Sequence, residues 1–517
     1  MRGGHYFLLS LVWLSLRATS LSVEQKLKSD ADNAKQPDLS SRCLQYEDFD
    51  EFQPEAGTDQ RYVVVGAGPV GMWTALQIKL ALPKADVTIY EKRSSYTRNH
   101  ILNLAVSVFK EGFGGEKAYD RIWSKGLSDA VPNFEEQMND HPERVRVMCR
   151  KLEESLRRAS DIFGIKVEQL NVSFETLDTF LDSVKDATLV IGADSRHSTM
   201  RDVIMPGEDL RKTPQIQITN QFQYNIFMKV MVKATNWLTN KTLRNLTWAR
   251  TMLNLHDHNA VFIVGGENED GTVPVTIQMP LVRSEAQPVL TNCKQRKKSE
   301  PKCTIWNSEG EHDDRLPSSV ARDLDRTIDY LTNDEEENKR LKTETEVSLV
   351  LVDTYIANTV AKFKYHKEGR IPMLLIGDAA FGVPYFKGLV NGLSTGNELS
   401  LMLVRTLDPL IRSAPSFTAK AQVEFLKAYA AMVADKFSLG EQKARKTSWM
   451  FVGQNSAAMA ARRVGQTFVN GLRMVTPWPL RRVFNMLPCA VHDTESNWSV
   501  SRQVEDVVPP LARSPIK

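Results

Sequence analysis

The pattern of apolar and polar positions changes sharply at residue 61. Tyr62 to Val65 is a short β-rich run, a glycine cluster follows, and Val70 to Leu82 carries apolar residues at helical spacing. Asp86 to Tyr90 is a second β-rich run. Strand, helix and strand in this order predict a β-α-β unit, from which parallel sheets are built.

The middle of the chain has a different pattern. Residues 216–233, 260–264 and 273–279 are rich in β-branched and aromatic residues, and a Gly-Glu-Asn-Glu-Asp-Gly stretch separates the last two segments. This predicts an antiparallel sheet that contains a hairpin. Residues 284–345 are highly charged, which predicts a solvated insertion with one surface helix. Further elements expected from the pattern are helices over 145–163, 388–406 and much of 417–484, and buried strands over 188–191 and 373–376.

Length and charge limit the class of protein. The chain has 517 residues, so two domains, or one domain with a large insertion, are expected. The contents of 42% hydrophobic and 25% charged residues are those of an ordinary globular protein. The net charge of +3 gives no electrostatic reason to expect a nucleic-acid partner.

The first twenty residues have the pattern of a signal peptide. Arg2 supplies a positive charge, Phe7 to Leu16 is a short apolar run, and Ala18 and Ser20 are placed like the small residues of a cleavage site. An uncleaved N-terminal membrane anchor is the alternative. No other stretch is apolar and long enough to predict a membrane span.

Other features agree with a secretory route, either secreted or lumenal. Four Asn-x-Ser/Thr sequons occur, at Asn171, Asn240, Asn245 and Asn497. The five cysteines are Cys43, Cys149, Cys293, Cys303 and Cys489. An odd number excludes complete internal pairing, although Cys293 and Cys303 could form a local disulfide. No Cys/His cluster has the spacing of metal ligands, so no metal site is predicted.

The strongest local motif is a glycine-rich turn that follows a strand and opens a helix. It reads Gly66, Ala67, Gly68, Pro69, Val70, Gly71. The first glycine permits the tight turn, the second lets a pyrophosphate approach the backbone, and the third lets helix and strand pack closely. Glu91 ends the second strand, where a carboxylate can accept hydrogen bonds from an adenosine ribose. Together these features predict a dinucleotide site.

Two later strand ends favour FAD over NAD. One carries Asp194, and the other carries Gly377 and Asp378, whose carboxylate suits ribityl hydroxyls. The glycine-rich segment around Gly388 then opens a helix. Its N-terminal N–H groups would face the flavin pyrimidine edge and stabilise negative charge there.

This set of motifs resembles the class A flavoprotein monooxygenases, which have the para-hydroxybenzoate hydroxylase fold. Asp194 corresponds to the acid of the family's Asp-Gly motif, and Gly377 and Asp378 correspond to its Gly-Asp motif. Arg150 stands where the family has a residue near the FAD phosphates. The segment from Glu91 through Lys92 to Arg98 and beyond is similar to the flavin loop of the MICAL monooxygenase domain.

The chain departs from the family pattern in two places. The Asp-Gly motif reads Asp194-Ser195, so the turn could differ, and this puts the choice of nicotinamide cofactor in question. The Gly-Asp motif continues with Phe381, where the hydroxylases often have histidine. Actin is not carried over as a substrate.

The resemblance implies an α/β fold: a Rossmann-like FAD-binding domain with a parallel sheet, interrupted by a mostly antiparallel β-sheet substrate domain, and a helical C-terminus. The expected segments are a signal peptide (1–20), a polar N-terminal extension (21–57), the FAD-binding domain (58–210 and 346–415), the substrate domain with its charged insertion (211–345) and a helical C-terminal region (416–517).

The resemblance further implies a monooxygenase that uses FAD, NAD(P)H and O2 on a small-molecule substrate. The alternatives are an FAD-dependent reductase or dehydrogenase of the same fold and a non-catalytic flavin-binding protein. The middle sheet would cover the substrate, with Tyr224, Phe227, Met228 and Trp248 as candidates, although such residues more often belong to a core.

Overall fold

The computed structural model describes residues 60–96, 98, 101–205, 215–233, 258, 260–268, 270–281, 284–288, 306, 310, 316–332, 334–367, 369–384, 387–407 and 418–475. The predicted leader and N-terminal extension lie outside the described residues. So do three of the sequons, four of the cysteines and Trp248.

The strands of the chain are β1 (Arg61–Val65), β2 (Asp86–Glu91), β3 (Ile101–Ala105), β4 (Arg144–Met148), β5 (Lys166–Gln169), β6 (Leu189–Gly192), β7 (Ile216–Lys233), β8 (Val261–Val264), β9 (Thr272–Leu281), β10 (Glu346–Ala357), β11 (Ala361–His366), β12 (Gly369–Leu375) and β13 (Phe381–Gly382).

The helices are α1 (Pro69–Ala81), α2 (Ser107–Lys110), α3 (Gly115–Ala118), α4 (Ser124–Ala130), α5 (Phe134–Asp140), α6 (Cys149–Ile162), α7 (Leu177–Ser183), α8 (Thr199–Ile204), α9 (Ser318–Asp329), α10 (Glu335–Glu344), α11 (Lys387–Met402) and α12 (Thr418–Val475). None of the helices searched among the described residues combines the length and apolarity needed to cross a membrane.

A six-stranded sheet forms the first layer, in the order β11-β12-β6-β1-β2-β5. The strands from β12 to β5 pair in parallel, and β11 joins the edge antiparallel to β12. Residues 62–65 of β1 and 189–192 of β6 are all buried. Continuous burial of this kind is typical of parallel strands covered on both faces, which explains why their sequences are apolar runs rather than alternating patterns.

A five-stranded sheet forms a second core, in the order β13-β10-β7-β9-β8. The long strand β7 pairs antiparallel with both β9 and β10. In its second half the even-numbered residues Ile226, Met228, Val230 and Val232 are buried, and they pack with Val320, Leu324 and Ile328 of α9. The predicted fold class, a parallel sheet interrupted by an antiparallel one and followed by a helical C-terminus, is confirmed.

Three expectations about individual elements are wrong. Residues 145–148 belong to strand β4 rather than to the helix predicted over 145–163, because the alternating burial of Val145 and Val147 fits a strand. Within its described residues the segment 284–345 contains two longer helices, not one, and the apolar side of α9 is buried against the second sheet. Strand β10, assigned by sequence to the FAD-binding part, pairs with β7 and therefore belongs to the second sheet.

Candidate functional site

The carboxyl ends of four parallel strands meet at one edge of the first sheet. Strand β1 ends before Gly66, β2 at Glu91, β6 before Asp194 and β12 before Asp378. Because β12, β6, β1 and β2 are consecutive neighbours, these strand-end turns lie side by side. In open α/β sheets the crevice outside such strand ends is the usual ligand site.

The glycine-rich turn allows two close approaches of backbone and leaves space over its middle glycine. Gly66 has φ +109°, and a Cβ there would lie 2.6 Å from the carbonyl oxygen of Ala193. A Cβ on Gly71 would lie 2.0 Å from the carbonyl oxygen of Gly66. Gly68 precedes Pro69, the first residue of α1, and nothing lies nearer to its added Cβ than a guanidinium nitrogen of Arg98 at 3.5 Å. The backbone therefore leaves no room for a side chain at Gly66 or Gly71, and the Arg98 guanidinium lies over Gly68.

Glu91 supports this turn from the end of β2. Its Oε2 accepts a hydrogen bond of 2.7 Å from the backbone N–H of Ala67, and its Oε1 accepts one of 2.9 Å from the N–H of Arg93. A carboxylate offers about four acceptor positions, so Glu91 can still accept hydrogen bonds from ribose hydroxyls. Lys92, one residue further on, is exposed.

Two predicted arginines lie on adjacent segments. The backbone N–H of Arg150 donates a 2.9 Å hydrogen bond to the carbonyl oxygen of Arg98, which joins the start of α6 to the loop after β2. The guanidinium of Arg98 also lies 3.3 Å from a carboxylate oxygen of Glu153. Arg150 pairs with Glu154, Nε to Oε1, at 3.6 Å, and both of these side chains are partly exposed.

Asp194 makes internal contacts. It accepts a 2.5 Å hydrogen bond from the hydroxyl of Ser198 and a 3.0 Å hydrogen bond from the N–H of Met200, at the start of α8. Burial raises the pKa of Asp194, and these hydrogen bonds oppose the rise. A direct role for its carboxylate in cofactor binding stays a prediction.

Ser195 has a backbone conformation that favours glycine. Its φ is +80°, in the left-handed region. The position where the family has glycine therefore holds a serine in a conformation that costs a side chain energy, and a difference from the family's turn stays a prediction.

The Gly-Asp turn and helix α11 approach α1 from the other side. A Cβ on Gly377 would lie 3.1 Å from a methyl carbon of Val70. One on Gly388 would lie 3.3 Å from Oδ1 of Asp378. Asp378 is exposed, yet the surrounding protein raises its pKa by desolvation, against the lowering influence of Arg196, Arg98 and Arg201. The Asp378 carboxylate is in contact with solvent and is also surrounded by protein, so it lies in the wall of a concave cleft.

Four residues that frame this cleft are not apparent from the sequence. They are Arg196, Arg201, Asp353 and Tyr355. Arg196 makes a bidentate contact with Asp353, at 2.8 and 2.7 Å, and its guanidinium stacks 4.7 Å from the centre of the Tyr355 ring. The hydroxyl of Tyr355 donates a 2.9 Å hydrogen bond to the carbonyl oxygen of Asp378.

Arg201 links the two later strand-end turns directly. It donates to the carbonyl oxygens of Arg196, Asp378 and Ala379 at 2.9–3.0 Å. Asp378 and Ala379 are far from Arg201 in sequence, so no local sequence pattern indicates these hydrogen bonds. Ser198 caps the start of α8 by accepting a hydrogen bond from the N–H of Arg201. This capping spacing, which follows Asp194, is the local sequence signal near Arg201.

The second sheet presents one side to this region. The backbone N–H of Ile101 in β3, three residues after Arg98, lies 3.4 Å from the hydroxyl of Thr276 in β9. Phe227 pairs with Gln278 on the same side as Thr276. Of the apolar candidates, Phe227 is therefore on the side that approaches the cofactor region, whereas Tyr224 and Met228 pack with the core beneath.

The donor set fits a flavin dinucleotide. The N-terminus of α1 and the Arg98 guanidinium suit a pyrophosphate, and Glu91 and Asp378 suit the hydroxyls of ribose and ribityl groups. The predicted residues from Gly66 to Gly71, Glu91, Arg98, Asp378 and Gly388 are brought together, with Arg150 beside Arg98. Among the described residues, no group of three or more His, Cys, Asp and Glu side chains is placed to hold a metal ion.

Comparison with known proteins gives a local match. The F-actin monooxygenase mical1 of Danio rerio is 42% identical over 82 residues, which are 16% of this chain and 6% of that protein. The F-actin monooxygenase MICAL3 of Mus musculus is 30% identical over 125 residues, which are 24% of this chain and 5% of that protein. The resemblance to the MICAL monooxygenases is confirmed. The matched stretches span only a small part of these MICAL proteins.

No protein-family model matches the chain. A solved 2-methyl-3-hydroxypyridine-5-carboxylic acid oxygenase is 12% identical with a TM-score of 0.43, over 78% of this chain and 93% of the other. A TM-score this low supports no inference about function.

Proposed function

We propose that the chain is an FAD-dependent monooxygenase that uses NAD(P)H and O2 to hydroxylate or oxidise a small organic substrate. One observation carries the proposal: the Arg98 guanidinium stands 3.5 Å from the position of a Cβ on Gly68, at the N-terminus of α1. A cation and a side-chain-free helix N-terminus facing the same space favour a pyrophosphate. The local similarity to MICAL monooxygenases supports the choice of FAD chemistry.

Each predicted residue then has a physical role. The turn from Gly66 to Gly71 and Arg98 hold the phosphates, Glu91 holds the adenosine ribose, and Asp378 holds the ribityl chain. The N-terminus of α11, next to Asp378, would supply a positive dipole end that stabilises negative charge on a bound flavin. Bound FAD supplies the electron transfer and oxygen chemistry, and the protein supplies position and electrostatics.

We place the substrate between the flavin and the side of the second sheet that carries Phe227. Val350 of β10, which pairs with Asn225 on this side, is 41% exposed. An exposed apolar side chain beside a cleft can contact a small apolar substrate. F-actin is not proposed as a substrate, because the similarity to the MICAL proteins covers so little of them.

The secretory route remains part of the proposal. It rests on the leader pattern of residues 1–20 and on the sequons. Asn171 is exposed, so it can be reached by a glycosyltransferase.

The test is to purify the protein, reconstitute it with FAD and follow NAD(P)H and O2 together. Coupled consumption of both supports the monooxygenase. Reduction of bound flavin without oxygen consumption by the enzyme would instead indicate the reductase. Bound flavin that neither nicotinamide reduces would indicate a non-catalytic flavin-binding protein. A protein that does not bind FAD would contradict all three functions.

A further inference from the structure

The carboxyl group of Glu153 lies in an unusual position for an acid. It is on α6, its side chain is 1% exposed, and within the described part of the chain neither oxygen makes a well-aligned hydrogen bond. Its nearest cation is Arg98, with Nη2 3.3 Å from Oε1. A buried carboxylate with so few partners destabilises a fold, so this position needs an explanation other than stability.

The surroundings of Glu153 identify Arg98 as its main counter-charge. Burial raises the pKa of Glu153, Arg98 and Arg93 oppose the rise, and Glu91 adds to it. Burial and the nearby Glu153 charge raise the pKa of Cys149 to about 12, so this thiol stays neutral and adds no negative charge. The positive charge of Lys229, on β7 of the second sheet, lowers the pKa of Cys149.

The Glu153 carboxylate limits the motion of the Arg98 side chain. Arg98 lies on the connection between β2 and β3, and its side chain is 38% exposed. A long flexible side chain on a loop loses considerable rotamer entropy when a ligand fixes it. A buried anion 3.3 Å away holds the guanidinium above Gly68 beforehand, which lowers that entropy loss on binding.

We propose that Glu153 is a positioning residue that holds Arg98 over the Gly68 backbone for the pyrophosphate of the bound dinucleotide. The proposal rests on the proposed FAD site and adds a residue that does not touch the cofactor. The proposal predicts that the Glu153 carboxylate strengthens FAD binding and lowers the stability of the folded protein.

The test compares Glu153→Gln with Glu154→Gln, whose carboxylate is 43% exposed and pairs with Arg150 on the helix surface. FAD affinity is measured by the change of flavin fluorescence, and stability by thermal unfolding without FAD. For Glu153→Gln we expect roughly tenfold weaker FAD binding together with a higher melting temperature, because the buried charge is gone. Glu154→Gln changes the affinity less than about twofold, since exposed pairs contribute little.

A double-mutant cycle separates positioning from a general structural effect. If Glu153 acts through Arg98, Glu153→Gln has no further effect on FAD affinity in an Arg98→Met background. The pH profile adds a second readout. Because the folded pKa of Glu153 is raised, its unfavourable contribution to stability is present above that pKa and disappears as pH falls below the unfolded value. The stability difference between Glu153→Gln and wild type therefore vanishes in acid.

Unchanged or tighter FAD binding by Glu153→Gln would overturn the inference, and so would an equal loss in the Arg98→Met background. A Glu153→Gln protein that fails to fold also contradicts it, since removal of the charge must stabilise the fold. If wild type itself does not bind FAD, the proposed function fails instead.

Discussion

The contact between Arg196 and Asp353 is predicted to hold the second sheet against the cofactor cleft. The carboxylate of Asp353 is 1% exposed and binds two guanidinium nitrogens at 2.8 and 2.7 Å. Asp353→Asn keeps the shape but removes the charge and one of the two acceptors. A hydrogen bond to a charged group contributes about 1.5–3 kcal/mol. Arg196 is 39% exposed, and water compensates part of the loss. We therefore expect a decrease of about 2 kcal/mol in the free energy of unfolding.

The same substitution should weaken FAD binding, because Arg196 stacks on Tyr355 and the Tyr355 hydroxyl holds the carbonyl of Asp378. Urea unfolding measures the first effect and flavin fluorescence the second. Asp182→Asn is the matched control: its carboxylate binds Lys367 and His366 at an exposed turn, so only a small change in stability is expected. Equal effects of the two substitutions on stability would refute the reasoning.

Three further predictions use other parts of the chain. Ser195→Gly should stabilise the protein by about 1 kcal/mol in urea unfolding, because Ser195 has φ +80°; a loss of stability would show that its side chain contributes more than the strain. Burial alone would lower the pKa of His258, but hydrogen bonds with Asp323 and Glu285 outweigh it and raise the pKa to about 9. The raised pKa of His258 contributes up to about 3 kcal/mol to the free energy of unfolding. This contribution is complete below pH 6.5 and is lost as the pH rises through about 9. In unfolding experiments His258→Gln should therefore be less stable than wild type at pH 6 and as stable as wild type above pH 10. Asn171→Gln should remove the mass of one glycan from protein secreted by eukaryotic cells, and an unchanged mass would show that the exposed sequon is not used.

Local sequence signals predicted the strand-end turns of the site, most directly the turn that follows β1. The turn from Gly66 to Gly71 combines a tight bend, a helix start and a close contact within six residues, so its chemistry can be inferred from spacing alone. The β-rich segment 216–233, predicted as part of an antiparallel sheet, forms one strand, β7, because its β-rich composition is continuous. The segment 145–148 was misassigned because a short alternating run merges with the helix that follows it.

The contacts between distant segments could not be predicted in this way. Asp353 is 157 residues from Arg196, and nothing in the sequence around either residue indicates the other. Glu153 looks like one more acid on an amphipathic helix until the fold buries it beside Arg98. The charged segment around α9 has an apolar side, but only the second sheet shows what that side covers.

The central claim is that the strand-end turns at Gly66, Glu91 and Asp378 bind one molecule of FAD. The most direct measurement is the visible absorption spectrum of the purified protein after incubation with FAD and removal of the free cofactor. The account predicts the absorption bands of protein-bound flavin at one FAD per chain. A colourless protein that takes up no FAD would contradict it.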